Sequence, residues 1–477
     1  MLDPTVLPMA LYHEIANKIS SHIDNGVYIP GARLPGVRRL SQQFGVSVST
    51  VVQAQRQLEN TGLIEARPRS GYYVNQRLWL KPELPTQSKP ELKPSPVTGQ
   101  QLVLQLSRLA NDSDFVQLGA AVPDASFMPM RAFQRSLSKI VRQYGQRANN
   151  YAFPPGLPEL QQQISRRMHL CGTQVAAEKI LITNGCQEAL ALALRTVAAP
   201  GDIIAIESPT FYGLLQVIES LGMKALEIPT DPQDGISLAA LELALEQWPI
   251  KACVLIPNFG NPLGSLLPEK KKRKLVQLAN RHELILIEDD IYGDLGFNHV
   301  RPRSLFSISK SKDANIIYCC SFSKTISQGL RIGWMVLPRR YYDQAEYFKY
   351  VSNLASPTLP QLALADFLEN GGYDRYLRQV QARYAQQISL FTHAISKYFP
   401  PETRVTQPQG GFVLWVELPQ KIDTVKLCHR MLKHKISIAP GPIFSATQKY
   451  QNCIRLNCAQ PWSAVLEKAL ILIGQNK

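Results

Sequence analysis

The sequence predicts an α/β protein built from two folds, an N-terminal winged helix-turn-helix and a much larger α/β body. Three observations point there. Helical apolar spacing over residues 11–60 gives way to two short apolar runs around a Gly turn. Behind a Pro-rich stretch, apolar strand-like runs end again and again in polar or glycine loops, as in open α/β sheets. The chain has 477 residues, 45% of them hydrophobic, which is enough for two or three domains with large cores.

Residues 1–75 carry the first fold. Leu11, Ile15, Ile19 and Ile23 recur every four residues and predict a helix with one apolar stripe, ended by Gly26. Pro30-Gly31-Ala32-Arg33-Leu34-Pro35 reads as a turn. Val37 to Phe44 predicts a short second helix, stopped by Gly45. Ser47 or Ser49 caps a third helix that runs to about Asn60, with Val51, Ala54 and Leu58 on one face and Gly62 at its end. Leu63-Ile64-Glu65-Ala66 and Tyr72-Tyr73-Val74 are two short strands around Arg67-Pro68-Arg69-Ser70-Gly71. This order makes a winged helix, whose third helix suits a DNA major groove. The plainer alternative is a three-helix appendage for oligomerisation.

From Lys81 to Pro96, prolines and charges dominate and no apolar period is visible. Residues 76–110 therefore read as a semi-rigid linker, spanning about 3 Å per residue and on the order of 50 Å where extended. The body takes residues 111–477.

Chemistry concentrates in the body. Lys324 lies in Ser321-Phe322-Ser323-Lys324, between an apolar strand (Ile316 to Cys320) and a second one starting at Ile332, with Arg331 seven residues on. Two hydroxyls and a guanidinium suit a phosphate, and one amine suits a Schiff base. That is what an enzyme of the pyridoxal-phosphate (PLP) type needs at its centre. Asp289 ends the apolar run Leu284 to Ile287, where it can pair with a pyridinium nitrogen. Tyr292 and Asn261 can hydrogen-bond the ring's O3′. Ile180 to Thr183 leads through Gly185 into a helix, whose first amides at Gly185, Cys186 and Gln187 suit a phosphate. Phe211 follows the strand Ile203 to Ile206 and can stack on the ring.

These segments, in this order, resemble the fold-type I aminotransferases of class I/II over roughly Leu118 to Ile473. The resemblance implies a large mixed, mostly parallel sheet with flanking helices and a small C-terminal subdomain. It makes Lys324 the Schiff-base lysine of pyridoxal 5′-phosphate, Asp289 the pyridinium partner, Asn261 and Tyr292 the O3′ partners, and Ser321, Ser323 and Arg331 phosphate ligands. Tyr151 is similar to the tyrosine that reaches the neighbouring subunit's phosphate, and Arg455 to the arginine that grips a substrate α-carboxylate. Cys186 departs from the pattern, because such enzymes commonly carry a small hydroxyl residue there. It weakens one phosphate contact and leaves the backbone amides.

The front resembles the GntR-type DNA-binding domain through Gly26, Pro30-Gly31, Leu34-Pro35, Arg38, Gly45-Val46-Ser47, Leu58-Glu59, Gly62-Leu63-Ile64 and Ser70-Gly71. By that resemblance Arg38 and the helix start at Ser47, Val48, Ser49 and Thr50 contact double-stranded operator DNA, and Ser70 and Gly71 form the wing tip. Val48 stands where many relatives have Arg; it can touch a thymine methyl but cannot read guanine bidentately. Both halves together resemble the MocR subfamily of GntR-type bacterial regulators. That resemblance implies a homodimer, an amine or amino-acid effector, and a cytoplasmic protein that joins the nucleoid when bound to DNA. The linker is long enough for each head to cross onto the opposite body, a head-to-tail exchange.

Charge and cysteines narrow the rest. The formal net charge is +15, but residues 1–77 hold only eight Lys and Arg against five Asp and Glu. A basic balance favours polyanions, and here the motif carries more weight than the charge. Eight cysteines are scattered without Cys-x-x-Cys or His at metal spacing, which argues against zinc and against a disulfide framework. The start of the chain lacks a basic-then-apolar leader pattern, no run of eighteen apolar residues occurs, and no internal repeat is visible. The leading expectation is a PLP-responsive transcriptional regulator. A working aminotransferase with an accessory head, and a regulator that senses PLP itself, remain open beside it.

Overall fold

The computed structural model describes residues 11–24, 27–29, 31–67, 70–75, 82–98, 101–110, 112–309 and 315–475. Gly26, Pro30, Pro68, Arg69 and Lys81, which the sequence singles out, lie outside the described residues.

The head is a winged helix. Helix α1 spans Leu11–Asp24, and Ile15, Ile19 and Ile23 are buried while Leu11 is half exposed, so the apolar stripe begins one turn later than its sequence period. Helix α2 (Val37–Phe44) ends at Gly45, whose φ of 65° lets its amide turn back to Ser41 and Gln42 carbonyls. Helix α3 spans Val48–Asn60. Of the two candidate caps Ser47 is the one used, accepting the Thr50 amide at 3.1 Å. Strands β1 (Ile64–Arg67) and β2 (Gly71–Val74) pair antiparallel as the wing. Ile19, Leu40, Val51, Leu58, Ile64 and Val74 close one small core.

The body is built on one large sheet. Its order is Ser95–Pro96, Lys224–Asp231, Ile203–Ser208, Ile250–Leu255, Ile285–Asp289, Ile316–Ser321, Gly333–Val336 and Ile180–Thr183. The five strands from Lys224–Asp231 to Ile316–Ser321 are parallel neighbours, and Gly333–Val336 runs against both of its neighbours. The strands are buried along almost their whole length, as a sheet covered on both faces requires. A second sheet of four antiparallel strands orders Arg404–Val405, Val413–Glu417, Cys453–Asn457 and Ala439–Pro440, forming a smaller C-terminal layer with its own core.

The Pro-rich segment is extended, as its composition predicts, but residues 82–98 are not a free spacer. The Val405 amide donates to the Glu83 carbonyl at 2.8 Å, and Thr86 bonds the Glu417 carboxylate through its amide at 2.8 Å. Ser88 and Thr230 exchange three hydrogen bonds, the Thr230 amide donating to Ser88 Oγ at 2.7 Å and the Thr230 carbonyl accepting from the Ser88 amide and hydroxyl. Trp248 Nε1 donates to the Leu92 carbonyl at 3.1 Å, and Ser95–Pro96 adds a short strand to the large sheet. Backbone groups with nearby sheet partners are better satisfied there than in water. Gln101–Leu109 then forms a helix that buries Val103 and Leu106 in the smaller layer's core. The body thus begins well before residue 111, and the 50 Å reach expected of the linker is not available to these residues.

The head rests on the body. The end of α3 meets the long helix Gly372–Tyr398, where Ser389 Oγ donates to the Thr61 carbonyl at 2.5 Å. The rings of His13 and His299 stand 6.0 Å apart, edge to face. Among the described residues no helix is long and apolar enough to cross a membrane, and no group of three or more His, Cys, Asp or Glu could hold a metal ion. All eight cysteines are free thiols.

Candidate functional site

Three consecutive acids, Glu288, Asp289 and Asp290, end the strand Ile285–Asp289, and the alternation of side chains along a strand separates them. Glu288 accepts the Leu305 and Phe306 amides at 2.8 and 3.0 Å, holding the start of a short helix. Asp290 is taken up by Arg301 at 2.6 Å, Tyr318 at 2.9 Å and Asn258 at 2.8 Å. Asp289, which neither set engages, accepts Cys186 Sγ and the Ile291 amide, both at 3.2 Å and both on Oδ1. Burial raises its pKa to about 6.

Lys324 is half-buried in the turn after Ile316–Ser321 and donates Nζ to the Ala121 carbonyl at 2.7 Å. Burial, then the Arg455 charge, lowers its pKa to about 8, against the pull of Asp289. Ser321 and Ser323 are buried with their hydroxyls 2.7 Å apart, and Ser321 Oγ also donates to the Ile332 carbonyl at 2.9 Å. Arg331 takes a left-handed φ of 53° and donates to the Asn184 carbonyl at 2.6 Å. The guanidinium lies so close over Gly185 that a Cβ there would collide with it. Gly185 caps the helix Cys186–Val197. This turn therefore brings a helix N-terminus and a guanidinium together, an anion cradle that a larger residue would fill. Gln187 is turned aside, its Nε2 donating to the Gly213 carbonyl at 2.7 Å. Phe211 packs its ring where a Cβ on Gly213 would stand.

Asn261 and Tyr292 are buried and adjoin, and the Asn261 amide opposes the rise that burial imposes on the Tyr292 hydroxyl. Asn261 Oδ1 has no hydrogen-bond partner among the described residues. Arg455, on the strand Cys453–Asn457 of the smaller sheet, is fully buried. Its Nη2 donates to the Gly119 carbonyl, and its Nε and Nη1 are buried with no partner among the described residues. Phe444 lies under the guanidinium at 5.4 Å. An unpaired buried guanidinium edge is costly, and a bidentate carboxylate is the ligand that satisfies it.

The structure does not bring Tyr151 to this cluster. It is 68% exposed, in an aromatic patch with Phe153 and Tyr350. Sequence reasoning missed the Gly119 and Ala121 carbonyls and Phe444. Carbonyl partners leave no residue-type signal, because every residue has one.

In the head, Arg38, Ser47, Val48, Ser49 and Gly71 are exposed, while Thr50 and Ser70 are half-buried. Ser47 Oγ lies 2.8 Å from both the Ser49 and Thr50 hydroxyls, and Ser70 Oγ 2.6 Å from the Tyr73 hydroxyl.

Residues 114–473 match the family Aminotransferase class I and II, and residues 11–74 match Bacterial regulatory proteins, gntR family. The HTH-type transcriptional regulator YjiR of Escherichia coli K12 is 42% identical over 98% of both chains. The chain belongs to the aminotransferase class I and II family and carries a gntR-type head, the full-length architecture of these HTH-type transcriptional regulators. Regulator YdcR of the same organism is 36% identical over 98% of this chain and 99% of its own. Among solved structures, LysN, the α-aminoadipate aminotransferase of Thermus thermophilus, is 27% identical with a TM-score of 0.73, over 78% of this chain and 93% of that one. That structure holds N-(5′-phosphopyridoxyl)-L-leucine. Membership in this fold implies PLP dependence, and the residues of this chain fit the group. The Gly185–Arg331 cradle suits its phosphate, the unpaired Asn261 Oδ1 lies beside Tyr292, and Asp289 and Lys324 are charged groups of opposite sign in one buried site.

Proposed function

We propose that this protein is a PLP-dependent, DNA-binding transcriptional regulator whose body senses an amine or amino acid. Lys324 is the amine that meets the cofactor aldehyde. Asp289 holds the proton of the ring nitrogen, Asn261 and Tyr292 bind O3′, and Phe211 covers the ring face. Ser321, Ser323, Arg331 and the amides at Gly185, Cys186 and Gln187 bind the phosphate, with Tyr151 contributed by a second copy of the chain. Bound PLP supplies a carbonyl that captures amines and a ring that draws electrons from them. Burial works for this chemistry at both ends. A Lys324 pKa of about 8 leaves a useful share of neutral amine near neutral pH, and Asp289 is ionised above about pH 6. Arg455 takes the effector's carboxylate.

One observation favours regulation over turnover as the main role: the segment that carries the head is bonded to both layers of the body. Glu83 and Thr86 hold the smaller sheet, which bears Arg455, Ser88 and Ser95–Pro96 hold the larger one, which bears Asp289 and leads into Lys324, and Leu92 takes Trp248 at the end of a helix beside it. An effector bridging Arg455 and the cofactor at Lys324 pulls on both layers, and the strap across them passes any change to the head. The effector must bind one arrangement better than the other. The second reading is a working aminotransferase with an accessory head, favoured by the full set of site residues. A regulator responding to PLP alone is the third.

The active unit is a homodimer. The exposed patch of Tyr151, Phe153 and Tyr350 supports it, as does the twofold symmetry that half-sites demand. Within this chain the head is seated on its own body through Thr61 and Ser389; a head-to-tail exchange would make the same contact between the two chains. Localisation in a bacterial cytoplasm, at the nucleoid when bound to DNA, follows from that role.

Binding of the full chain to duplexes selected from genomic fragments tests the function. The affinity is expected to change when PLP and an amino acid are added together. Unchanged DNA binding alongside steady conversion of an amino acid to its oxo acid would favour the enzyme instead.

A further inference from the structure

At position 186 the sequence suggests only a weakened phosphate contact. The structure turns this side chain elsewhere. Cys186, first residue of the helix Cys186–Val197, points its thiol at Asp289 Oδ1, 3.2 Å away, and both groups are buried. The Ile291 amide falls on the same oxygen. Among the described residues both protein donors thus occupy Oδ1, and Oδ2 is the oxygen left for a ligand proton.

We propose that Cys186 is a positioning residue for the carboxylate that meets the cofactor's ring nitrogen: its thiol fixes the orientation of Asp289 and sets how strongly that carboxylate holds the ring proton. This rests on the PLP reading above.

The thiol is suited to act as a donor and nothing else. Burial, and then the Asp289 charge, push its pKa well up, so it keeps its proton. Cys319 and Cys320, on the strand beside Asp289, crowd it with thiols rather than cations. Asp289 also feels Asp290, Lys324 and, more distantly, Glu207. None of these takes the place of the thiol on Oδ1. A thiol is a weak donor, so it quenches the carboxylate's basicity less than a serine hydroxyl at the same place. Asp289 then draws the ring proton more strongly, the ring carries less positive charge, and a proton on the Lys324 nitrogen is retained to higher pH.

The test uses the full chain loaded with PLP. The visible band titrates with the proton on the Lys324 nitrogen, and its midpoint is read in wild type, Cys186→Ala and Cys186→Ser. Removing the donor is expected to raise the midpoint by about half a pH unit, and the stronger hydroxyl donor to lower it by a similar amount, the scale of one modest hydrogen bond. If both variants load and titrate with the wild type, the proposal is overturned. Should Cys186→Ala fail to load, PLP affinity decides: Cys186→Ser close to wild type supports the donor role, and Cys186→Ser as weak as Cys186→Ala overturns it. A wild-type chain that takes up no PLP would sink the cofactor reading itself, a different outcome from either.

Discussion

The two functional surfaces of this chain are built on opposite principles. In the head, the residues proposed to face DNA mostly satisfy one another. Ser47 caps α3 and bonds Ser49 and Thr50, Ser70 bonds Tyr73, and Arg38 stands in solvent. In the body, the functional groups are buried and incomplete. Among the described residues Arg455 has two unpaired nitrogens and Asn261 an unpaired oxygen, and Asp289 and Lys324 carry pKa values moved toward each other by burial. A self-satisfied surface needs no rearrangement to bind its partner. A buried set with missing partners gains most when a ligand supplies them. On the proposed function the body is the half that responds and the head the half that reports, and what joins them decides whether one informs the other.

The largest expected effect falls on the body. Lys324→Ala should abolish covalent capture of PLP, read by mass spectrometry after borohydride reduction, while the head still binds DNA. Capture by the wild-type apo protein should speed up as pH rises through about 8, because the attacking amine is blocked by its proton below that value. A rate flat across that range would remove burial from the account of Lys324.

Arg455→Met should weaken the response to amino acids by about 10- to 100-fold, the scale of a lost charged hydrogen-bonding pair, and leave PLP uptake intact. A response to amines lacking a carboxylate should be spared. Titration of DNA binding against each ligand class measures both.

The joint between the halves comes next. Ser88→Ala leaves the Thr230 amide without its side-chain partner, at a cost of about 1–3 kcal/mol. PLP uptake and DNA affinity without effector should stay near wild type, and the effector-induced change in DNA affinity should shrink. An undiminished change would show that the signal takes another route. In dimers mixed from Thr61→Cys and Ser389→Cys chains, a disulfide should form between the two chains if the heads are exchanged, and only in the double-substituted chain if they are not.

The smallest effects belong to the head. Arg38→Ala should weaken binding to all sequences alike and lower the salt slope by about one. Ser47→Ala should cost about 1 kcal/mol of stability through the lost cap, measured by urea unfolding.

The head was legible almost residue by residue, because Ile15, Ile19, Ile23, Val51, Ala54 and Leu58 are short-range periodic signals and Gly45 is a local stop. The large sheet was legible where apolar runs end in chemistry, at Ile285–Asp289 and Ile316–Ser321. Non-local contacts were not. Nothing in the sequence says that Pro-rich residues 82–98 lie across two sheets, since the Thr86–Glu417 and Ser88–Thr230 bonds join residues far apart in the chain. Nor does Cys186 announce that its thiol turns to Asp289, 103 positions away.

The most direct measurement is DNA affinity of the PLP-loaded full chain by fluorescence anisotropy, taken with and without a panel of amino acids, in wild type and Lys324→Ala. The expected result is a change with at least one amino acid in wild type and none in Lys324→Ala. Equal shifts in both proteins, or no shift in either, would contradict a regulator that senses amines through Lys324.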